Sequence, residues 1–123
     1  MRHFLDLKDF SADTLHQMLD HARALKQAQR AGTGHEKALA GKTIAMIFEK
    51  PSTRTRISFE AGIAQLGGTA LVLSAQDLQL GRGESVEDTA RVLSRYVDAI
   101  MIRCFEHDTL KIGRAHVRTP VTS

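Results

Sequence analysis

The sequence predicts an α/β fold, a parallel sheet with flanking helices, and two observations carry that expectation. Short apolar runs at 43–48, 70–73 and 99–102 read as strands, and helix-capable stretches at 53–66 and 86–97 separate them. Strand, helix, strand, helix, strand with short links means parallel βαβ units. In such sheets ligands bind beyond the carboxyl ends of the strands.

Each element has its own signal. Residues 11–30 form an amphipathic helix: Leu15, Met18, Leu19, Ala22 and Leu25 recur at helical spacing, and Ser11 caps the start. Ala31-Gly32-Thr33-Gly34 ends it, and 31–41 is a polar, Gly-containing connection. Thr43-Ile44-Ala45-Met46-Ile47-Phe48 is continuous and apolar, as expected for a strand buried on both faces. Gly67-Gly68 closes the following helix, and Ala70-Leu71-Val72-Leu73 is a second buried strand. Residues 75–84 are a polar loop. Ser85 caps the next helix, with Glu87 and Asp88 in its first turn, where the helix dipole favours acids. Ala99-Ile100-Met101-Ile102 is the third strand.

Composition excludes several classes. At 123 residues and 42% hydrophobic, the chain fits one domain with a real core and is no disordered tail. No apolar run approaches the ~20 residues of a membrane helix, and Asp6 interrupts the start too early for a secretory signal. One cysteine cannot build an internal disulfide, and the absence of asparagine removes N-linked glycosylation. A soluble, cytoplasmic domain without a membrane partner is expected. The formal charge of +3 comes from Lys111, Arg114 and Arg118, because residues 1–110 hold equal numbers of acids and bases. With aromatics at 5% and no basic stripe elsewhere, a nucleic-acid partner is not expected.

Chemistry concentrates in Ser52-Thr53-Arg54-Thr55-Arg56, between the first strand and its helix. Helix starts attract Asp and Glu, since their free N–H groups carry partial positive charge. Here two arginines and three hydroxyls occupy the start, with no acid until Glu60. A bound anion resolves that conflict, and phosphate suits hydroxyl donors combined with arginine forks. The plain alternative is that Ser52 caps the helix while Arg54 and Arg56 point into water. Five consecutive polar donors after a buried strand favour the anion site. Arg103, directly after the third strand, should emerge on the same edge; an ordinary surface arginine is an equal reading from position alone.

Pro51-Ser52-Thr53-Arg54-Thr55-Arg56-Ile57-Ser58-Phe59-Glu60 resembles the carbamoyl-phosphate signature of the aspartate and ornithine carbamoyltransferase family. The run from Asp77 to Ser85, including Gln79 and Arg82-Gly83-Glu84, then Asp88 to Arg95, resembles the ornithine branch. The aspartate branch usually carries lysine where Arg82 stands. Met101-Ile102-Arg103 matches the family's third strand. The resemblance covers roughly residues 1–110.

It implies a carbamoyl-phosphate-binding domain, truncated here after the third strand. Ser52, Thr53, Arg54 and Thr55 would bind the phosphate, and Arg103 would reach the phosphate and the carbonyl oxygen. Arg54 and Arg103 would be the catalytic pair, with Arg56 in a supporting, orienting role. Gln79 resembles a residue lent to a neighbouring subunit's active site; without the match it reads as a solvated loop glutamine. Some relatives carry lysine at Gly83, so a cationic contact is missing there. The implied reaction is attack by the δ-amino group of L-ornithine on carbamoyl phosphate, giving citrulline and phosphate, with no metal or other cofactor. A homotrimer is expected of the full-length enzyme.

After Leu110 the family pattern stops. Family members continue with a further helix and strand, a His-Pro-Cys-Gln segment and a whole ornithine-binding domain. Residues 111–123 show no apolar period, and Ile112–Val117 and Thr119–Thr122 look like an in-frame translation of a sequencing-library adapter. The expected organisation is therefore a partial domain over 1–110 followed by a foreign tail, inactive alone and aggregation-prone. An aspartate carbamoyltransferase half-domain and a non-catalytic phosphate-binding module are the alternatives. The six histidines show no metal-ligand spacing with acids or cysteine, and Cys104 reads as a small core residue rather than a nucleophile. No dinucleotide or phosphate-loop glycine motif occurs.

Overall fold

The computed structural model describes residues 3–4, 6–32, 37–48, 52–74, 86–103 and 121–122. A short 3-10 turn at Leu7–Asp9 precedes helix α1, Ala12–Ala31. Strand β1 (Thr43–Phe48), helix α2 (Thr53–Gln65), strand β2 (Thr69–Ser74), helix α3 (Val86–Ser94) and strand β3 (Ala99–Arg103) follow. A two-residue strand β4, Val121–Thr122, completes a parallel sheet of order β2-β1-β3-β4.

The apolar run over 43–48 forms the central strand, and its alternation feeds two separate cores. Ala45 and Ile47 pack with Leu93, Val97 and Ile100 on the α3 side. Ile44 and Met46 pack with Ile63 and Met101 on the α2 side. Met46, Ile100 and Met101 are the largest fully buried side chains among the described residues. Burial of each contributes roughly 1.5–3 kcal/mol. Polar ties set the register at the amino edge. Asp98 accepts from the Thr43 amide at 2.9 Å through its carboxylate, and its own amide donates to the Thr43 carbonyl at 2.8 Å. The Thr69 amide donates to the Lys42 carbonyl at 2.9 Å, which anchors β2.

The turn from α2 into β2 requires glycine at both positions. Gly67 has φ +87°, a left-handed backbone. At Gly68 an added Cβ would lie 3.0 Å from both Ile63 Cγ2 and Leu39 Cβ. The close approach lets Leu39 and Ile63 share the α2-side core.

Three sequence expectations change. β2 is not buried on both faces: it lies at the sheet's rim among the described strands, and Leu71 is 40% exposed. A short apolar run does not reveal which strand stands at an edge. The helix expected over 86–97 stops at Ser94, where the Tyr96 and Val97 amides both turn back to the Leu93 carbonyl. That tight exit delivers Val97 to the core. Finally, β4 pairs in parallel with β3, with Ile100 beside Val121 and Met101 beside Thr122. No pattern in the tail announced this strand. An open strand edge recruits a partner through backbone groups, which every residue but proline carries in full.

α1 behaves differently again. Ser11 Oγ accepts from the Thr14 amide at 3.1 Å, and Gly32 ends the helix in the left-handed conformation at φ 66°. Yet none of its residues is buried, and Met18 and Leu19 of the apolar stripe are exposed. Its carboxyl half borders α2 across an open groove that includes Leu25 and Leu66. Ser85, expected to cap α3, lies outside the described residues.

Candidate functional site

β1, β2 and β3 end together. Register places Ser74, Phe48 and Arg103 in one row across the carboxyl edge. Arg103 is thus the last residue of β3 rather than the first beyond it, and it is exposed.

α2 begins at this edge. Ser52 is its N-cap residue, with φ −156° and ψ 81°, and its carbonyl accepts from the Arg56 amide at 3.0 Å. Its hydroxyl makes no capping hydrogen bond, and the first turn holds no acid. Both features depart from ordinary helix starts and from Ser11 in this same chain. The plain reading of Ser52 as a cap therefore fails, and the helix leaves its hydroxyl unspent.

A cleft of about 560 Å³ opens between the start of α2 and the carboxyl ends of β1 and β2. Ser52, Thr53, Arg56, Glu60 and Ser74 supply its polar lining. Phe48 and Val72 are among the apolar residues beneath it. Arg56 Nε donates to Glu60 Oε2 at 3.2 Å, an ion pair one helical turn long. The Ser52 and Thr53 hydroxyls, helix N–H groups and a guanidinium at one cleft can hold a small polyoxyanion. Among the described residues no group of three or more His, Cys, Asp or Glu is arranged to hold a metal ion. No described helix is long and apolar enough to cross a membrane.

The structure brings Ser52 and Thr53 into this cleft. Arg54, exposed, and Thr55, half-buried, share the first turn of α2 but do not belong to the lining. Arg103 stands beside Phe48 on the neighbouring strand. Gln79 lies outside the described residues, as do Arg82, Gly83 and Cys104. Sequence reasoning did not single out Glu60 or Ser74. Glu60 had a signal, since it stands four residues after Arg56 on a helix. Ser74 had none beyond ending an apolar run.

A family model described as "Aspartate/ornithine carbamoyltransferase, carbamoyl-P binding domain" matches residues 2–123. An ornithine carbamoyltransferase of Halorhodospira halophila is 60% identical over 121 residues, which is 98% of this chain and 40% of that protein. That of Rhizobium meliloti is 58% identical over 120 residues, 98% of this chain and 39% of the relative. Among solved structures, the ornithine carbamoyltransferase of Pyrococcus furiosus superposes with TM-score 0.92 at 50% identity, covering 98% of this chain and 38% of that one. The catalytic subunit of the M. jannaschii aspartate transcarbamoylase does so with TM-score 0.87 at 32% identity, covering 99% and 40%. The chain thus spans about two fifths of the length of the curated relatives it matches. With its parallel sheet, its carboxyl-edge cleft and a match over nearly every residue, the chain belongs to the aspartate/ornithine carbamoyltransferase family and corresponds to its carbamoyl-phosphate-binding domain.

Proposed function

We propose that this chain binds carbamoyl phosphate, and that its full-length parent transfers the carbamoyl group to L-ornithine, giving citrulline and phosphate. One observation carries the binding reading: the start of α2 spends neither a serine hydroxyl nor an acid on itself, at the carboxyl edge of a parallel sheet. Ser52 and Thr53, which line the cleft, together with Arg54 and Thr55 beside it in the first turn of α2, hold the phosphate through hydroxyls, helix N–H groups and the guanidinium. Arg103 acts with Arg54 on the carbonyl oxygen and the leaving phosphate. Gln79 serves the cleft of a neighbouring subunit in a homotrimer. Catalysis then rests on holding two substrates in contact and on cationic donors facing the developing charge. Removing a donor of this type costs about 3–4 kcal/mol of transition-state stabilisation. The relatives' names favour ornithine over aspartate as acceptor.

The decisive experiment is calorimetric titration of the chain and of Arg54→Ala with carbamoyl phosphate and with inorganic phosphate. The chain should prefer carbamoyl phosphate, and Arg54→Ala should lose binding while keeping its circular dichroism spectrum. Equal affinity for both anions would favour a non-catalytic phosphate module. Unchanged binding by Arg54→Ala would overturn the residue assignment. The ornithine side is supplied by the rest of the parent, so the 123-residue chain forms no citrulline alone; citrulline from the pure chain overturns that division of labour.

The division at residue 110 belongs to the same proposal. Residues 111–123 are a foreign tail, supported by their lack of apolar period and their likeness to a translated adapter. The β4 pairing is compatible with this, because two residues of ladder need only backbone groups. An uninterrupted native reading frame across codon 110 in genomic DNA would refute it.

A further inference from the structure

The cleft contains an oddity for an anion site: a carboxylate. Glu60 lines it together with Arg56, so among the described residues the charged side chains of its lining cancel. A carboxylate beside a bound anion is repulsive, unless its effect on a neighbour outweighs that repulsion.

The Arg56–Glu60 pair is also poorly placed as a helix stabiliser. Favourable i,i+4 pairs put the acid toward the amino end, in accord with the dipole. Here the order is reversed, with Arg56 the fourth residue of α2 and Glu60 one turn later. The side chains are 55% and 38% exposed, so the bridge itself contributes little to folding. What the bridge does fix is direction. It engages Nε, one of five guanidinium N–H donors, and leaves the four Nη hydrogens without a hydrogen bond among the described residues. An arginine free to rotate would spread those donors over the many rotamers of its side chain. Anchored through Nε, it presents them from one place in the cleft wall.

We infer that Glu60 is a positioning residue of this cleft: by holding Arg56 through Nε, it aims the Nη donors at the bound phosphate. The inference rests on the anion-site reading above and adds a role for a residue that contacts no anion itself.

Its test is a change of sign. If Glu60 only contributed negative charge, any neutral replacement would tighten anion binding. If it positions Arg56, the outcome depends on whether the replacement still accepts a hydrogen bond. Inorganic phosphate is titrated by calorimetry into the 123-residue chain and into Glu60→Gln, Glu60→Ala and Glu60→Asp. Glu60→Gln keeps an acceptor and loses the charge, so it should bind at least as tightly as the parent. Glu60→Ala should bind about two- to fivefold more weakly than Glu60→Gln, the scale of an exposed ion pair lost. The shorter Glu60→Asp keeps the charge without the reach, and should also weaken binding; it serves if Glu60→Ala fails to fold. In an Arg56→Ala background, Glu60→Ala should no longer weaken binding. The NMR signal of the Arg56 Nε–H should be shielded from exchange in the parent and Glu60→Gln, and not in Glu60→Ala. Binding by Glu60→Ala as tight as by Glu60→Gln overturns the positioning role alone. No phosphate binding by the parent overturns the anion site, and the positioning role with it.

Discussion

α1 and α2 are helices of one small domain, built on opposite plans. α1 has an acid in its first turn, an arginine in its last, a serine cap at one end and a left-handed glycine at the other. Every local device for helix stability is present, and none of its side chains is buried. α2 has no acid in its first turn, two arginines where acids belong, and an N-cap serine that caps nothing. Ile63 is nevertheless buried in the core beneath it. One helix is held by its own ends, the other by what it packs on. The second arrangement leaves a helix start with no side-chain cap from Ser52 and no acid in its first turn, which is what an anion-binding site needs.

The largest expected effect breaks the packing half of that contrast. Ile63 is 6% exposed and shares a core with Ile44, Met46 and Met101. Ile63→Ala should lower unfolding free energy by about 2–5 kcal/mol in urea titrations. Leu19, on the apolar stripe of α1, is 63% exposed, and Leu19→Ala should change stability by no more than about 0.5 kcal/mol. Equal losses at both positions would mean that α1 carries tertiary packing that the described residues do not supply.

An intermediate effect compares the two serines. Ser11→Ala removes a cap seen at 3.1 Å and should cost about 1 kcal/mol, with no effect on phosphate binding. Ser52→Ala removes no capping bond, so its stability cost should fall well below that of Ser11→Ala, while phosphate affinity drops. Paired melting curves and titrations of both variants test the contrast. A full capping cost at Ser52 would return it to an ordinary structural role.

The same contrast explains which features the sequence announced. Local signals were legible: the ends of α1, the span of β1 at 43–48, and the conflict of arginines at a helix start all depend on neighbours in sequence. Relations between elements were not. The stripe from Leu15 to Leu25 has helical period, but period does not say whether a partner covers it. Ala70–Leu73 looks as apolar as the central strand yet stands at the rim, and β4 forms by backbone pairing that side chains do not announce. The site divides in the same way. The hydroxyls and arginines were visible as a motif. That Arg56 is tied to Glu60 inside the cleft, while Arg54 lies outside its lining, is a matter of helix facing.

The smallest effect on stability is the most discriminating. Thr53 is the first residue of α2 and lines the cleft. Thr53→Asp places a carboxylate where helices favour one, which should stabilise the protein by about 0.3–1 kcal/mol through the dipole. The same carboxylate would stand where the phosphate sits, so phosphate binding should be lost. A thermal melt and a phosphate titration on one sample would therefore move in opposite directions. At Asp13, which occupies the first turn of α1, no such opposition exists, and Asp13→Ala should lower stability slightly without touching phosphate affinity. If Thr53→Asp instead destabilised the chain, the unfavourable start of α2 would be only apparent, compensated by contacts within the protein. A gain in stability with a loss of ligand would identify the acid-free helix start as a feature that serves anion binding, at a small cost to the fold.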